Sequence, residues 1–150
     1  DETSRGLGDV YKRQVDDFDT VWNTFKKNKK YFPHIRTDYL KRMIARGQVV
    51  LDKGVIITYN VYKRKTRIGD VLCQPDDVIL HQIVADKRDG SASVVLNDFF
   101  RFLNKRVFLS VRSENEIAKR FYEKNGMLKI GSISWAKGTI PGDIYCYDSN

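Results

Sequence analysis

Val78-Ile79-Leu80-His81-Gln82-Ile83-Val84-Ala85, then Asp86-Lys87-Arg88-Asp89-Gly90-Ser91-Ala92, then Ser93 through Leu103, is the stretch that decides how this chain folds. Its first eight residues are almost wholly apolar apart from His81 and Gln82, the composition of a central strand covered on both faces. Gly90 ends the break that follows. Beyond it, Val94, Val95, Leu96, Phe99, Phe100 and Leu103 face several directions around a helix, so that helix is expected to lie against the sheet. Strand, glycine turn and helix together make a phosphate-holding device, because the first helical turn has unpaired amides and a partial positive charge. Gly90 and Ala92 would let a pyrophosphate approach the backbone, and Lys87 and Arg88 add cations; the same pattern also serves as a plain turn. A Walker element and a GxGxxG fingerprint are both absent, which removes most support for ATP hydrolysis and hydride transfer.

Upstream, Phe18, Val21, Trp22 and Phe25 form one helical stripe, with Asp16, Asp17 and Asp19 at its start and Lys26, Lys27, Lys29 and Lys30 at its end, as the helix dipole favours. Thr37 is expected to cap a second helix carrying Leu40, Met43 and Ile44, stopped by Gly47. Val49–Leu51 and Val55–Val61 read as a hairpin turning at Asp52, Lys53 and Gly54. The basic stretch from Tyr62 to Gly69 reads as a loop or strand extension. Downstream, Arg106 to Val111 reads as a strand, and Ser113 with Glu116 three residues on reads as a capping box. The helix it would open has Ile117, Ala118, Phe121 and Tyr122 as its inner face, and Gly126 follows its last turn. Two final strands, Met127 to Trp135 and Ile144 to Tyr147, are expected on either side of a turn containing Gly138, Pro141 and Gly142. Residues 1 to 14 carry no sustained periodicity and are read as a leader outside the fold, part of which resembles translated adapter sequence. The remaining residues, 15–150, are expected to form one domain.

Two segments, Lys87-x-x-Gly90-x-Ala92 and Asn115-x-x-Ala118-x-x-Phe121-Tyr122-x-x-x-Gly126-Met127, together resemble the GNAT superfamily of N-acetyltransferases. The family motif opens with a basic or amide residue, and Lys87 fills that place. The resemblance covers residues 77 to 135 by motif and 16 to 76 by element order. It implies an α+β fold in three layers, with a mixed, largely antiparallel central sheet and helices on both faces. It also implies acetyl-CoA as cosubstrate, with no metal, and direct transfer to a primary amine in a ternary complex. Val84 to Lys87, with Ala85 among them, would polarise the thioester carbonyl beside the pantetheine arm, and Ile83 would also bind the cofactor; Lys87, Arg88, Asp89, Gly90, Ser91, Ala92 and Ser93 would meet the pyrophosphate. Asn115, Ala118 and Phe121 would line the arm, and Tyr122 would give its proton to the departing thiolate.

Many members of the family use a glutamate near the central strand as general base. This strand has none and offers His81 and Gln82. His81 shares a face with Ile79, Ile83 and Ala85, and it is either a buried, satisfied histidine or a base taking an ammonium proton directly or through water. Tyr122 is likewise either a proton donor or an inner-face aromatic, and Asn115 a ligand of the arm or of its own loop. Acceptor specificity would come from Tyr31 to Met43, with Tyr31, Phe32, His34 and Tyr39, and from Ser134 to Gly142, with Trp135; neither region has an acidic cluster to seat a polyamine.

The chain has 150 residues, 41% hydrophobic, 31% charged and 12% aromatic, which suits one ordinary globular domain and argues against disorder. No apolar run approaches the ~20 residues of a bilayer span, so a soluble protein is expected. Cys73 and Cys146 have no CxxC spacing, and a reducing cytoplasm fits them. A formal charge of +8, nearly all of it in the first half, suggests an anionic partner, nucleic acid or a phosphorylated small molecule, or else two solvated basic patches. Much of that charge lies in the lysine cluster named above and in Lys63, Arg64, Lys65 and Arg67. This leaves two rivals to an acetyltransferase, monomeric or homodimeric: a basic nucleic-acid-binding module, and a GNAT-fold protein that binds CoA without catalysis.

Overall fold

A computed structural model describes residues 17–149; the expectations for residues 1 to 14 lie outside them. The described elements, in chain order, are α1 (Phe18–Lys27), α2 (Thr37–Ala45), β1 (Val49–Asp52), β2 (Val55–Val61), β3 (Thr66–Ile68), β4 (Val71–Cys73) and β5 (Val78–Ala85). Then come α3 (Ser91–Leu103), β6 (Val107–Arg112), α4 (Glu116–Lys124), β7 (Leu128–Trp135) and β8 (Ile140–Tyr147). Six strands form a mostly antiparallel sheet in the order β1-β2-β5-β6-β8-β7, and β3 and β4 form a separate pair. The fold is α+β, as the sequence suggests. By contacts the chain divides into two compact units, residues 17–59 with Gln82–Phe102, and Asn60–His81 with residues 103–149.

In the first unit the expected hairpin is present, with Asp52 opposite Val55 and Val49 opposite Thr58. Strand alternation sorts its residues between two layers. Val49, Ile56 and Val84 pack in one cluster with Val21 and Phe25 of α1 and Leu40, Met43 and Ile44 of α2. On the opposite face Tyr59 meets Phe99 of α3, with ring centroids 5.1 Å apart in an edge-on arrangement. Helices therefore cover both faces here. Gly47, at φ 68°, stops α2 as expected. Thr37 does not cap that helix: the cap position is Arg36, in extended conformation and without a side-chain cap, and Thr37 is the first helical residue.

In the second unit the parallel ladder of β5 with β6 comprises Val78 opposite Val107 and Ile79 opposite Phe108. Antiparallel ladders then run from β6 to β8 and from β8 to β7. On β8, Asp143 and Tyr145 face α4, bonding Lys119 at 3.1 Å and Glu123 at 2.7 Å. Ile144 and Cys146 face the other way and pack with Cys73, Ile68 and Val71. Thus Tyr62 to Gly69 is not simply a loop: it supplies half of a short hairpin that lies over this face of the sheet. Pro141 and Gly142 are not turn residues either. They lie in β8, opposite Ser134 and Ile133, and the turn is confined to the residues around Gly138.

The small hairpin docks through its own turn. The Asp70 amide donates to the Ser132 carbonyl at 3.1 Å, and the Asp70 carboxylate accepts the Ser132 amide at 2.8 Å. Gly69 has φ 55°, and a Cβ there would run into the Ser132 carbonyl oxygen. Gly69→Ala is therefore expected to cost about 2 to 4 kcal/mol, from the positive φ and the forced backbone shift together. A urea unfolding curve with an unchanged midpoint would contradict this account of the docking.

Candidate functional site

In the first unit, the end of β5 is moored on three sides. The Asp86 amide donates to the Gly54 carbonyl at 2.8 Å, the Lys27 ammonium pairs with the Asp86 carboxylate at 2.8 Å, and the Asn28 side chain donates to the Ala85 carbonyl at 3.5 Å. The Lys27 hydrogen bond holds the Asp86 carboxyl below its ordinary pKa. Ile83 and Ala85 are half-buried, and Val84 is buried against α1 and α2. All three lie outside the two-pair ladder with β6.

Lys87, Arg88, Asp89 and Gly90 are exposed, and Ser91, Ala92 and Ser93 form the first turn of α3. Gly90 has φ 88°, and a Cβ added there would meet nothing within 4 Å, so the space before the helix is open. The Asp89 carboxylate accepts the Ser91 amide at 3.0 Å, and hydrogen bonds from Ser91, its side chain first and then its backbone, lower the Asp89 pKa and keep it ionised. One of the donors expected for a phosphate is thus already engaged by the chain's own carboxylate. Arg88 donates to the Tyr31 hydroxyl at 3.3 Å, which ties the loop to the segment after α1.

A pocket of ≈ 430 Å³ in the same unit is lined by His34, Ile35, Arg36, Tyr39, Arg42 and Gln82, with Asp38. Tyr39 donates to the Gln82 side-chain oxygen at 3.1 Å, Thr58 donates to the same oxygen, and the Gln82 amide donates to the Thr58 hydroxyl at 3.1 Å. The sequence marks Tyr31 to Met43 as an acceptor region through its aromatics. It misses Arg36 and Arg42, whose spacing of six residues is no motif, and it misses Gln82 as their companion because that contact spans more than forty residues.

In the second unit Tyr122 is half-buried, with its ring edge-on to Phe121 at 5.7 Å and tilted on Tyr145 at 6.1 Å. No hydrogen bond from the described residues engages its hydroxyl. Desolvation pushes its pKa up to about 12. His81 is exposed rather than buried, and its Nε2 lies 2.7 Å from the Asn60 side-chain oxygen. Desolvation lowers its pKa, so the imidazole is neutral at neutral pH. No hydrogen bond among the described residues joins His81 to Tyr122. Ala118 and Phe121 are half-buried, whereas Ile117, expected on the inner face of α4, is 84% exposed.

The capping box read from Ser113 and Glu116 is replaced by a different arrangement. Ser113 donates to Asp143 at 2.7 Å, and Asn115 is the cap, accepting the Ala118 amide at 3.1 Å. No group of three or more His, Cys, Asp or Glu that could hold a metal occurs among the described residues, and no helix among them is long and apolar enough to cross a membrane.

Asn115→Ala is expected to lower stability by about 1 kcal/mol through loss of the cap, and Asn115→Ser to recover most of it. Chemical denaturation of the three proteins checks this; equal midpoints would mean the cap contributes nothing.

The sequence matches no protein-family model and no curated protein. Solved structures do resemble the fold. An acetyltransferase of the GNAT family from Bacillus cereus ATCC 10987 is similar at TM-score 0.64 and 19% identity, covering 90% of this chain and 92% of its own. Ard1 from Thermoplasma volcanium is similar at TM-score 0.64 and 16% identity, covering 87% and 90%. Arabidopsis thaliana NAA60, solved with acetyl-CoA, is similar at TM-score 0.64 and 12% identity, covering 87% and 94%. From its element order, sheet topology and these likenesses, the chain has the fold of the GNAT acetyltransferases.

Proposed function

We propose that this protein is an acetyl-CoA-dependent N-acetyltransferase that transfers the acetyl group directly to a primary amine in a ternary complex. The observation that carries this reading is the end of β5 in a GNAT fold. Ile83, Val84 and Ala85 lie outside the ladder with β6, and the strand runs through an open glycine turn into the start of α3. Backbone groups of these residues are the donors and acceptors for a pantetheine arm and for the thioester carbonyl. The amides of Ala92 and Ser93, with Lys87 and Arg88, are the donors for a pyrophosphate.

In the proposed reaction the amine nitrogen attacks the thioester carbon and the carbon–sulfur bond breaks. The proton lost by nitrogen ends on sulfur, so none is gained or lost overall. Neutral His81 is suited to accept the amine proton, directly or through water. With a pKa pushed up to about 12, the Tyr122 hydroxyl is a poor source of a free proton for a thiolate whose acid has pKa ~8.5. Full transfer would be uphill by about 5 kcal/mol at 1.36 kcal/mol per unit. Tyr122 therefore acts as a neutral hydrogen-bond donor to the sulfur as charge develops there, and hands over its proton only as another proton replaces it.

Two experiments test the reading. Gly90→Glu places a carboxylate where the pyrophosphate would sit and should abolish acetyl-CoA binding by calorimetry. Gly90→Ala carries the same positive-φ strain without the charge and should retain measurable binding. Equal affinities for Gly90→Glu and the unsubstituted protein would remove the phosphate site. Tyr122→Phe should lower single-turnover acetyl transfer by ~10². An unaltered rate across the pH range would reduce Tyr122 to packing against Tyr145.

A further inference from the structure

The pocket lined by Gln82, Tyr39, Arg36 and Arg42 is unequal in charge. Arg36 pairs with Asp38 at 3.1 Å, both largely exposed, so the one carboxylate among the lining residues is already matched. Arg42 has no ion pair among the described residues and stands on the exposed side of α2. His34 adds a titratable ring, and the side-chain oxygen of Gln82 is occupied by Tyr39 and Thr58, while its side-chain nitrogen makes no hydrogen bond among the described residues. The pocket therefore offers a guanidinium and an amide donor, with no free carboxylate. A guanidinium fork matches an oxyanion with two parallel hydrogen bonds, and it repels a second ammonium. At ≈ 430 Å³ the space suits a small molecule or a terminal residue. Gln82 immediately precedes Ile83, and one residue along a strand is ~3.3 Å, so a ligand filling this pocket has one end beside the backbone assigned to the thioester.

We propose that this pocket seats the acceptor, and that the acceptor is a primary amine bearing an oxyanion, a carboxylate or a phosphate, held by Arg42. The inference rests on the acetyltransferase reading and adds the substrate's charge class. The amine end lies toward β5 and the anionic end toward α2. A polyamine would bring its second ammonium against Arg42 and is disfavoured by the same geometry.

The test uses the full chain with acetyl-CoA and four amines of similar size: 4-aminobutyrate, 2-aminoethyl phosphate, 4-aminobutyramide and 1,4-diaminobutane. Thiol release gives kcat/KM for each, and calorimetry gives acetyl-CoA affinity separately. At least one anionic amine is expected to exceed the amide by tenfold or more and the diamine by a wider margin, the better of the two naming the oxyanion. Arg42→Gln should erase that preference, raising KM more than it lowers kcat, and Arg42→Glu should reverse it toward the diamine. Arg42 is exposed, so both variants are expected to fold, and thermal melting verifies this. Comparable turnover of the anionic, amide and diamine substrates, or a preference unmoved by Arg42→Glu, would overturn this inference and leave acetyl transfer standing. Acetyl-CoA binding with turnover of the amide or the diamine but not of the anionic amines would do the same, and acetyl-CoA binding with turnover of none of the four would overturn the inference. Absence of both acetyl-CoA binding and turnover would overturn the two readings together.

Discussion

The parallel join of β5 to β6 rests on one ion pair at the start of β5. Asp77 is 5% exposed, and its carboxylate accepts two bonds from Arg106, at 2.9 and 2.5 Å, and one from the Gln74 amide at 2.7 Å. The Val78 amide donates to the Arg106 carbonyl at 2.9 Å, so side chain and backbone set the same alignment of β5 and β6. That reinforcement matters because the parallel ladder is only two pairs long and its strands are separated by a helix in sequence. The remaining ladders, to β8 and then β7, inherit their register from it. The guanidinium also lies over the Phe108 ring at 5.1 Å. Because Arg106 keeps 37% exposure, it regains water if its partner is lost, and the pair is worth less than the ~3–5 kcal/mol of a fully buried one. The surroundings also silence the thiols. Desolvation, before any nearby charge, pushes Cys73 up to about 11 and Cys146 up to about 12, so neither forms the reactive thiolate near neutral pH.

The candidate chemistry shares a theme of neutral groups in the forms that reactions at nitrogen and sulfur need. Desolvation raises the Tyr122 hydroxyl's pKa and lowers that of His81, so at neutral pH one is a donor and the other an acceptor. In the proposed reading charge is kept for recognition: Lys87 and Arg88 at the turn, Arg42 in the pocket. Asp89 is the exception, an ionised carboxylate at the place assigned to a phosphate. Its bond to the Ser91 amide organises the turn at the cost of some repulsion toward an anionic ligand.

The strands were legible because their β-branched and apolar runs are long and unbroken, as in Val55–Val61 and Val78–Ala85. Helix bodies were legible too, and so was the glycine turn. Helix starts were not. Ser113 and Glu116 have the right spacing for a box, but Asp143, thirty residues away, takes the serine hydroxyl, and no local pattern announces that. The β3–β4 hairpin escaped notice because its strands have three residues each, within a run whose charge suggested a loop. Pro141 and Gly142 carry turn chemistry but sit where the ladder with β6 is ending at Arg112, so the missing proline amide costs little. Within the candidate site, the motif residues were readable as a linear pattern. The exposed position of His81, the raised pKa of Tyr122 and the arginine-lined pocket all depend on neighbours distant in sequence.

The two compact units are each assembled from separate stretches of chain, the second interrupting the first and then resuming after it. Neither can be cut out as a contiguous fragment. During synthesis the segment around β3 and β4 emerges before the strands it packs against, and β8 must arrive before the cluster of Cys73, Ile144 and Cys146 can close. Such long sequence separations place most of the loop-closure cost ahead of the stabilising contacts, which slows folding relative to a chain of local helices. The nascent chain consequently carries its apolar β6 without one of its two neighbours until β8 has left the ribosome, an interval in which a chaperone has something to hold.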